Sequence, residues 1–278
     1  LVPPALLARL NSKAHLADLV PAPLRPERAV LPRGALGAAL EVLPGAAVAL
    51  KIATSIGNGA GTDVMLCRDQ AERQAALDHL ASETRPYEAL VVERLEDFAD
   101  LWCAGFAVLD DAVRWLGASR HRLNERGLQS GNVMGAGREL PPAGRAAVEA
   151  LAAAAGRLGY RGLAGCDLGL TRDGRLLIFD LNFRLNASTA MLLLQPAAAA
   201  RSGLPAAINL AVAAPLEADE LARRLLPWVE DGRLVPTRVL DFRLLPSRAA
   251  QASVTGFLLG RDEADCLERE AAVRRALL

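Results

Sequence analysis

The chain alternates short apolar runs with polar, glycine-rich or proline-rich breaks, a pattern typical of a mixed α/β (α+β) protein. Strands are predicted on both sides of the glycines in 48–66, at 89–95, in a hairpin over 101–123 that turns at Asp110–Asp111, and at 236–245 and 253–259. Helices are predicted at 69–82, 143–158, about 188–214 and 262–277. The proline-rich stretch 21–32 is typical of a linker, and the polar, glycine-rich stretch 124–140 of a mobile loop.

The run LLIFDLNFRLNAS, residues 176–188, ends an apolar strand in polar residues spaced two apart. These residues are Asp180, Asn182, Arg184 and Asn186. Side chains alternate between the two faces of an extended chain, so this spacing places all of them on one face. The simplest interpretation is the solvated face of an edge strand.

The Asp173–Gly174 pair just upstream predicts a tight β-hairpin, which changes this interpretation. A turn centred there gives three facing pairs: Arg172 with Arg175, Asp167 with Asp180, and Gly165 with Asn182. Two facing carboxylates repel each other unless a cation lies between them. Carboxylate and amide oxygens are ligands suited to Mg²⁺, with substrate phosphates completing the coordination. A metal site is therefore expected, and a carboxylate pair that shares a proton or splays into water is the alternative.

A phosphate site is indicated by residues 48–66, which read as strand, glycine-rich loop and strand. Lys51 lies on a strand face otherwise lined by alanines, and the backbone N–H groups of Gly57, Gly59 and Gly61 are suited to binding an anion. Because the lysine precedes the glycines and a strand follows them, the order argues against both the Walker loop and the Rossmann loop.

Only Lys13 and Lys51 are lysines among the 32 basic residues. Ammonium is a compact point charge and guanidinium a planar fork, so these two positions are candidates for sites that need the compact cation. Chance retention of lysine is the alternative, more so at Lys13.

Composition limits the other classes of function. The 278 residues suit one or two domains, and a net charge of zero gives no footprint for nucleic acid. Charges interrupt every apolar stretch, so we expect no membrane span, and the first residues do not resemble a signal peptide. The cysteines are scattered without paired spacing, which favours buried thiols in a cytoplasmic protein over zinc ligands or disulfides.

The order of motifs resembles the ATP-grasp superfamily over roughly residues 11–190. The motifs are NSK (11–13), ALKIATSIGNGAGTDV (49–64), ALVVERLED (89–97), and GCDLGL with LLIFDLNFRLN (165–170 and 176–186). The resemblance implies two α+β subdomains that clasp ATP between antiparallel sheets. We expect a linker and the start of the ATP-grasp region at 1–35, the small subdomain at 36–98, the large subdomain at 99–214, and a C-terminal extension packing on the large subdomain at 215–278.

The resemblance also implies roles for single residues. Lys13, Lys51 and the loop glycines would contact the ATP phosphates, with Lys51 also catalytic. Backbone groups of Glu93, Arg94 and Leu95 would hold adenine, and Glu96 or Asp97 the ribose. Asp167, Asp180 and Asn182 would bind Mg²⁺, as two ions for which Mn²⁺ can substitute, and Arg184 would steady the transferred phosphate. The family usually has Glu where this chain has Asp180, which leaves open whether that side chain bridges two metals.

The implied activity is an ATP-dependent carboxylate–amine ligase that forms an acyl phosphate and releases ADP and phosphate. Its partners would be a small-molecule carboxylate and an amine, such as an amino acid or peptide of a natural-product pathway, and a homodimer is compatible with it. Arg120 and Arg122 would bind the acceptor carboxylate through bidentate contacts, with Asn186 also facing substrate; solvated surface arginines are the alternative. A small-molecule kinase and an inactive nucleotide-binding partner protein remain alternatives. ATP-grasp enzymes usually carry a further domain before the first lysine, so we expect the chain to be a fragment, loss of that domain being the alternative.

Overall fold

The structure is a computed structural model that describes residues 2–54, 63–83, 86–125, 127, 129–242 and 251–277. The chain divides into two compact units. The first unit is Leu1–Trp115 with Leu140–Leu185, and the second is Leu116–Glu139 with Asn186–Leu278. The subdomain boundaries expected at residues 35, 98 and 214 stay a prediction.

Helices and strands alternate along much of the chain. The α-helices are α1 (Pro4–Asn11), α2 (Leu16–Leu19), α3 (Gln70–Ser82), α4 (Pro142–Arg157), α5 (Thr189–Ser202), α6 (Ala218–Glu230) and α7 (Glu263–Leu277). The strands are β1 (Arg28–Pro32), β2 (Val48–Ala53), β3 (Val64–Cys67), β4 (Ala89–Arg94), β5 (Phe98–Val108), β6 (Val113–Leu123), β7 (Gln129–Met134), β8 (Gly162–Thr171), β9 (Leu176–Asn182), β10 (Ala206–Ala214), β11 (Leu234–Asp241) and β12 (Ala252–Gly260). Short 3₁₀ segments lie at Lys13–His15, Ala22–Leu24 and Arg33–Leu40.

The first unit contains a four-stranded antiparallel sheet in the order β1-β4-β2-β3. The period-two alternation predicted for β2 is confirmed, because Val48, Leu50 and Ile52 pack into the core that contains Leu77 and Leu80 of α3. The linker prediction for 21–32 is wrong at its end. Arg28–Pro32 forms the edge strand β1, which pairs with β4 along its length. Proline lacks an N–H donor, and an edge strand tolerates this loss because one of its sides is unpaired.

Helix α3 begins where the sequence predicted it, and one of its side chains organises a distant loop. The Asp69 carboxylate caps the helix by accepting a hydrogen bond of 2.8 Å from the Glu72 N–H.

Arg73, 1% exposed, donates hydrogen bonds to backbone carbonyls in the segment that leads into β2. The acceptors are the carbonyls of Ala39, Leu40, Val42, Leu43 and Ala46.

The hairpin of β8 and β9 contains the predicted carboxylate pair. Asp167 faces Asp180, and the predicted pairing of Gly165 with Asn182 is also present. The turn itself was predicted wrongly. Thr171, not Arg172, pairs with Arg175, so the turn has three residues and ends in Gly174 at φ 88°. A bulge follows at residue 179, because the pairing moves from Leu168 with Ile178 to Asp167 with Asp180. The turn and β9 each contain one residue more than predicted, so the two differences cancel and the register at Asp167 and Asp180 is the predicted one.

The second unit arranges its strands in the order β11-β12-β10-β7-β6, with antiparallel neighbours. The first boundary between the two units along the chain falls within β6, between Trp115 and Leu116. Its larger core joins one face of these strands to α6 and α7, and a smaller core contains Met191 and Ala198 of α5 with Ala207, Phe257 and Leu259.

Two predictions for this unit are wrong. The helix expected over 188–214 ends at Ser202, because Gly203 takes a left-handed conformation at φ 72°, and residues 206–214 form the strand β10. Pairing with β7 and β12 there overrides the helix propensity of an alanine-rich segment. The stretch 124–140 contains the strand β7 rather than loop alone. The strand predicted at 236–245 corresponds to β11, and its last three residues lie outside the described part.

The four cysteines are free and buried, as expected. Among the described residues, no helix combines the length and the apolar character that crossing a membrane requires.

Candidate active site

A small pocket in the first unit lies against β9. Residues that line it include Asn11, Ser12, Lys13, Arg28, Lys51 and Asp180. The end of α1 contributes Asn11, the segment directly after it contributes Ser12 and Lys13, and β1, β2 and β9 contribute one residue each. Within the described part of the chain, Ser12 Oγ and Arg28 Nε are buried atoms without a hydrogen-bond partner. Buried polar groups are nearly always paired, so these atoms indicate a polar occupant.

Lys51 is the centre of a buried charge network. Its ammonium group forms an ion pair with the Glu93 carboxylate on β4 and donates a hydrogen bond of 2.9 Å to the backbone carbonyl of Phe179. The Phe179 ring centroid lies 5.5 Å from the same nitrogen. The Lys51 and Glu93 side chains are only 7% and 3% exposed, so loss of either one would leave a buried charge without its partner.

The other two cations of the pocket also have acidic partners. Lys13 Nζ lies 3.7 Å from Asp180 Oδ1, and Arg28 Nη1 lies 3.5 Å from Glu93 Oε2. Burial lowers the pKa of the Arg28 guanidinium from its ordinary value, while the charges of Glu93 and Asp180 oppose that shift. Each of the three cations thus lies beside a carboxylate, and Lys13, Arg28 and Lys51 all line a pocket in which they could also face an anion.

The candidate metal ligands lie together on the hairpin. Asp167 and Asp180 face each other across the strands, and Asn182 Nδ2 donates to Asp167 Oδ2 at 3.4 Å. No group of three or more His, Cys, Asp and Glu side chains in the described ranges forms a metal site. Two carboxylates and one amide are nevertheless a sufficient hard donor set for Mg²⁺, which usually retains waters and binds substrate phosphates. The residues present therefore fit this ion.

Asn11 fixes the chain between two of the predicted site residues. Its side-chain amide accepts a hydrogen bond of 2.9 Å from the Phe183 N–H and donates one of 3.3 Å to the Phe183 carbonyl. Phe183 separates Asn182 from Arg184, so this clamp holds the segment that presents both.

The common face predicted for the four polar residues extends only to Asn182, where β9 ends. Arg184 is exposed, and its Nη1 donates to the Leu185 carbonyl at 3.2 Å. Asn186 belongs to the second unit, where its Oδ1 accepts hydrogen bonds from the N–H groups of Ser188 and Thr189 at the start of α5.

The predicted adenine and ribose segment is engaged within the protein. The N–H groups of Arg94 and Leu95 donate to the carbonyls of Glu27 and Ala47, at 2.8 and 2.9 Å. Glu96, 6% exposed, pairs with Arg175 at 2.7 Å, and exposed Asp97 pairs with Arg172 at 3.1 Å. Adenine recognition here would thus depend on other backbone groups of the segment. The predicted phosphate glycines, Gly57, Gly59 and Gly61, lie outside the described residues.

Arg120 and Arg122 lie in the second unit and contact α7. Arg120 pairs with Glu263, and Arg122 Nη1 lies 3.1 Å from Glu270 Oε2. Both arginines are partly buried rather than solvated.

Sequence reasoning missed Arg28, Phe179 and the clamp formed by Asn11. Asn11 belongs to the NSK motif (11–13) with Lys13, and this motif was the available signal for a role at the site. Arg28 lies within the proline-rich stretch 21–32 that was interpreted as linker, and no sequence pattern marked Phe179 as a bulge.

Comparisons with known proteins bear on the family and the fold. Residues 26–182, more than half of the chain, match the family model described as L-aspartate–L-methionine ligase, ATP grasp. Among solved structures, the chain resembles N5-carboxyaminoimidazole synthase of Aspergillus clavatus in complex with ADP and 5-aminoimidazole ribonucleotide. It has 11% identity and a TM-score of 0.65, covering 98% of this chain and 74% of that one. The L-amino acid ligase of Bacillus licheniformis has 14% identity and a TM-score of 0.62, covering 99% and 73%.

The biotin carboxylase domain of the Hydrogenobacter thermophilus 2-oxoglutarate carboxylase, solved with MgADP, ADP and bicarbonate, has 15% identity and a TM-score of 0.59, covering 95% and 65%. These likenesses confirm the mixed α/β fold with antiparallel sheets expected of an ATP-grasp protein. The family match adds the class of reaction, formation of a C–N bond with ATP. The chain therefore belongs to the ATP-grasp ligase family described as L-aspartate–L-methionine ligase.

Proposed function

We propose that the protein joins a carboxylate to an amine through an acyl phosphate, with release of ADP and phosphate. The observation that carries this proposal is the position of Asp180. It lines the same pocket as Lys13 and Lys51 and faces Asp167 across the hairpin. Cations suited to phosphates thus lie beside oxygen ligands suited to a divalent metal.

Asp167, Asp180 and Asn182 would hold Mg²⁺, as two ions for which Mn²⁺ can substitute. The ion would supply charge neutralisation on the ATP phosphates. The Hydrogenobacter neighbour was solved with MgADP, which supports this ligand. Because Asp is one methylene shorter than the Glu usual in the family, contact with both ions would require the backbone to lie closer to them.

The lysines would bind the phosphates directly. An ammonium group has three N–H donors, and Lys51 uses two of them for Glu93 and Phe179. One donor remains for a phosphate oxygen. Lys13, 20% exposed at the pocket, would bind a second oxygen, and the loop glycines would add backbone N–H groups. Residues 93–97 would hold adenine and ribose.

The first step would join an oxygen of the acid to the γ-phosphorus while the bond from that phosphorus to ADP breaks. The lysines would stabilise the charge on the transferred group, and Arg184 would steady it. In the second step the amine nitrogen would attack the acyl carbon, the carbon–oxygen bond to phosphate would break, and the nitrogen would lose a proton.

The family description suggests L-aspartate as the acid and L-methionine as the amine. Arg120, Arg122 and Asn186 would contribute to the binding of the acceptor. Because both arginines pair with glutamates of α7, the acceptor carboxylate would compete with those contacts.

The test is an ADP-release assay on the full chain with MgATP, L-aspartate and L-methionine, with the amide product identified by mass spectrometry. Hydroxylamine should replace the amine and give a hydroxamate, because only an acyl phosphate is trapped in this way. Asp180→Asn serves as the inactive control. ADP release without hydroxamate or amide, across all amino acids tried, would favour a kinase. Binding of ATP without any ADP release would favour the inactive partner protein.

A further inference from the structure

Arg28 connects the two lysines of the pocket. It is the first residue of β1 and pairs in register with Glu93 of β4. Its side chain is only 3% exposed. One guanidinium nitrogen, Nη2, donates to the backbone carbonyl of Lys13, and the other, Nη1, faces Glu93 Oε2 at 3.5 Å.

Glu93 extends the connection to the second lysine. Its Oε1 pairs with Lys51 Nζ while its Oε2 faces Arg28. The network therefore runs from the Lys13 backbone through one guanidinium and one carboxylate to the Lys51 ammonium. A planar fork reaches two partners in fixed directions, which a lysine at this position would not do.

The charges of the network favour an anion in the pocket. Arg28 and Lys51 share the buried carboxylate of Glu93, and the partly exposed Asp180 carboxylate also acts on Arg28 through its charge. Burial lowers the pKa of the Arg28 guanidinium, while the charges of Glu93 and Asp180 oppose that shift. A buried uncompensated charge is strongly unfavourable, and a phosphate would compensate it.

We propose that Arg28 is a positioning residue that holds Lys13 and Lys51 in place for the phosphates of the nucleotide. This inference rests on the proposed phosphate contacts of the two lysines. Arg28 acts through the Lys13 carbonyl and the Glu93 carboxylate, and not by contact with the reacting atoms.

The test compares the dissociation constants of ATP and adenosine by calorimetry. Arg28→Met keeps an unbranched side chain and removes the charged fork. It should weaken ATP binding at least tenfold and change adenosine binding less than twofold, because adenosine carries no phosphate. In the assay, KM for ATP should rise while kcat changes less than threefold. Arg28→Lys, which keeps the charge but reaches one partner, should bind ATP with intermediate affinity.

Arg73→Met is the matched control, since Arg73 is also a buried arginine of the first unit and bonds backbone carbonyls away from the pocket. It should lower the melting temperature and leave the ratio of ATP to adenosine affinity unchanged. If Arg28→Met does not fold, Arg28→Lys alone decides: an ATP affinity equal to the wild type would overturn the inference.

Lys13→Met and Lys51→Met distinguish a failure of the Arg28 inference from a failure of the proposed phosphate site. If both weaken ATP selectively and Arg28→Met does not, the inference fails and the proposed phosphate site stands. If neither lysine variant weakens ATP binding, the proposed phosphate site fails and the inference with it. In a Lys51→Met background, Arg28→Met should have a smaller effect than in the wild type, and full additivity would contradict the connection.

Discussion

The ammonium group of Lys51 donates a hydrogen bond of 2.9 Å to the carbonyl of Phe179, the residue that β9 adds as a bulge directly before Asp180. The lysine proposed to bind ATP thus also holds the backbone beside a proposed metal ligand. The two functions are coupled through one contact, so a change at Lys51 is expected to affect both.

Lys51→Met should weaken ATP binding at least tenfold and also destabilise the fold. Among the described residues, the substitution leaves buried Glu93 with Arg28 as its one ion-pair partner, and breaking a buried pair costs about 3–5 kcal/mol. Calorimetry and urea unfolding measure the two effects. Lys51→Arg should restore neither fully, because a planar guanidinium does not match the two acceptors of an ammonium. Wild-type affinity in the Arg variant would show that the compact cation is not required.

Asp180→Asn should reduce turnover about 10²–10⁴-fold, as expected for the loss of a preorganised charge at the reacting phosphate. It should also raise the Mg²⁺ concentration needed for the half-maximal rate. Stability should change by less than about 1 kcal/mol, since the partly exposed pair with Lys13 is weak. Asp110→Asn, on the fully exposed turn after β5, is the control and should leave all three quantities unchanged. Unchanged Mg²⁺ dependence in Asp180→Asn would remove Asp180 from the metal site.

Asn11→Ala should lower kcat more than it raises KM for ATP, because the clamp on Phe183 positions the segment carrying Asn182 and Arg184. The loss of two hydrogen bonds to that residue should cost about 1–3 kcal/mol in urea unfolding. Asn11→Asp keeps the acceptor for the Phe183 N–H and loses both donors. It should therefore lie between Ala and the wild type, and a stability loss without any change in kcat would make the clamp purely structural.

Arg73→Met should lower the free energy of unfolding by about 2–4 kcal/mol, because several backbone carbonyls lose a donor at once. Arg73→Lys provides fewer donors and should recover only part of the loss. Urea unfolding of the three proteins at pH 7 measures this. A loss below about 0.5 kcal/mol in Arg73→Met would mean that water replaces the guanidinium without penalty.

The acid limb of the stability curve should depend on Asp265. A hydrogen bond from Arg269, with further contacts from Arg261, holds the pKa of this carboxyl well below its ordinary value. The unfolded chain binds the proton more readily, so the carboxylate stabilises the fold above about pH 4 and loses this effect as the pH falls through the native pKa. The stability difference between the wild type and Asp265→Asn should therefore shrink between about pH 4 and pH 2 in urea unfolding. A difference that is constant over this range would contradict the assignment.

Local patterns were sufficient for much of the fold. The alternation of β2, the Asp69 cap of α3 and the turn at Asp110–Asp111 each depend on neighbours in sequence, and each is present. Residues 206–214 were predicted as helix because alanine favours it, and only pairing with β7 and β12 makes them a strand.

The candidate site shows the same division. The facing of Asp167 and Asp180 was predicted, although by two errors that cancel: one residue more in the turn and one residue more in β9. The contacts of Arg28, Asn11 and Phe179 join residues far apart in sequence, so no local pattern contains them. The roles of the predicted site residues stay predictions until the variants are measured.

The hydrogen bonds of Arg73 join it to residues that are synthesised before it, which limits the order in which parts of the first unit can fold. The carbonyls that it binds precede it by 27 to 34 residues, so the shape of the segment leading into β2 is specified by a helix that the ribosome makes later. The hydrogen bonds between Arg73 and residues 39–46 can form only after Arg73 has been synthesised. We expect protection of Val48–Ala53 from hydrogen exchange to appear no earlier than that of Gln70–Ser82 during refolding, and earlier protection would contradict this order. The strand that carries Lys51 would then be among the parts of the first unit that become ordered only after a later helix has formed.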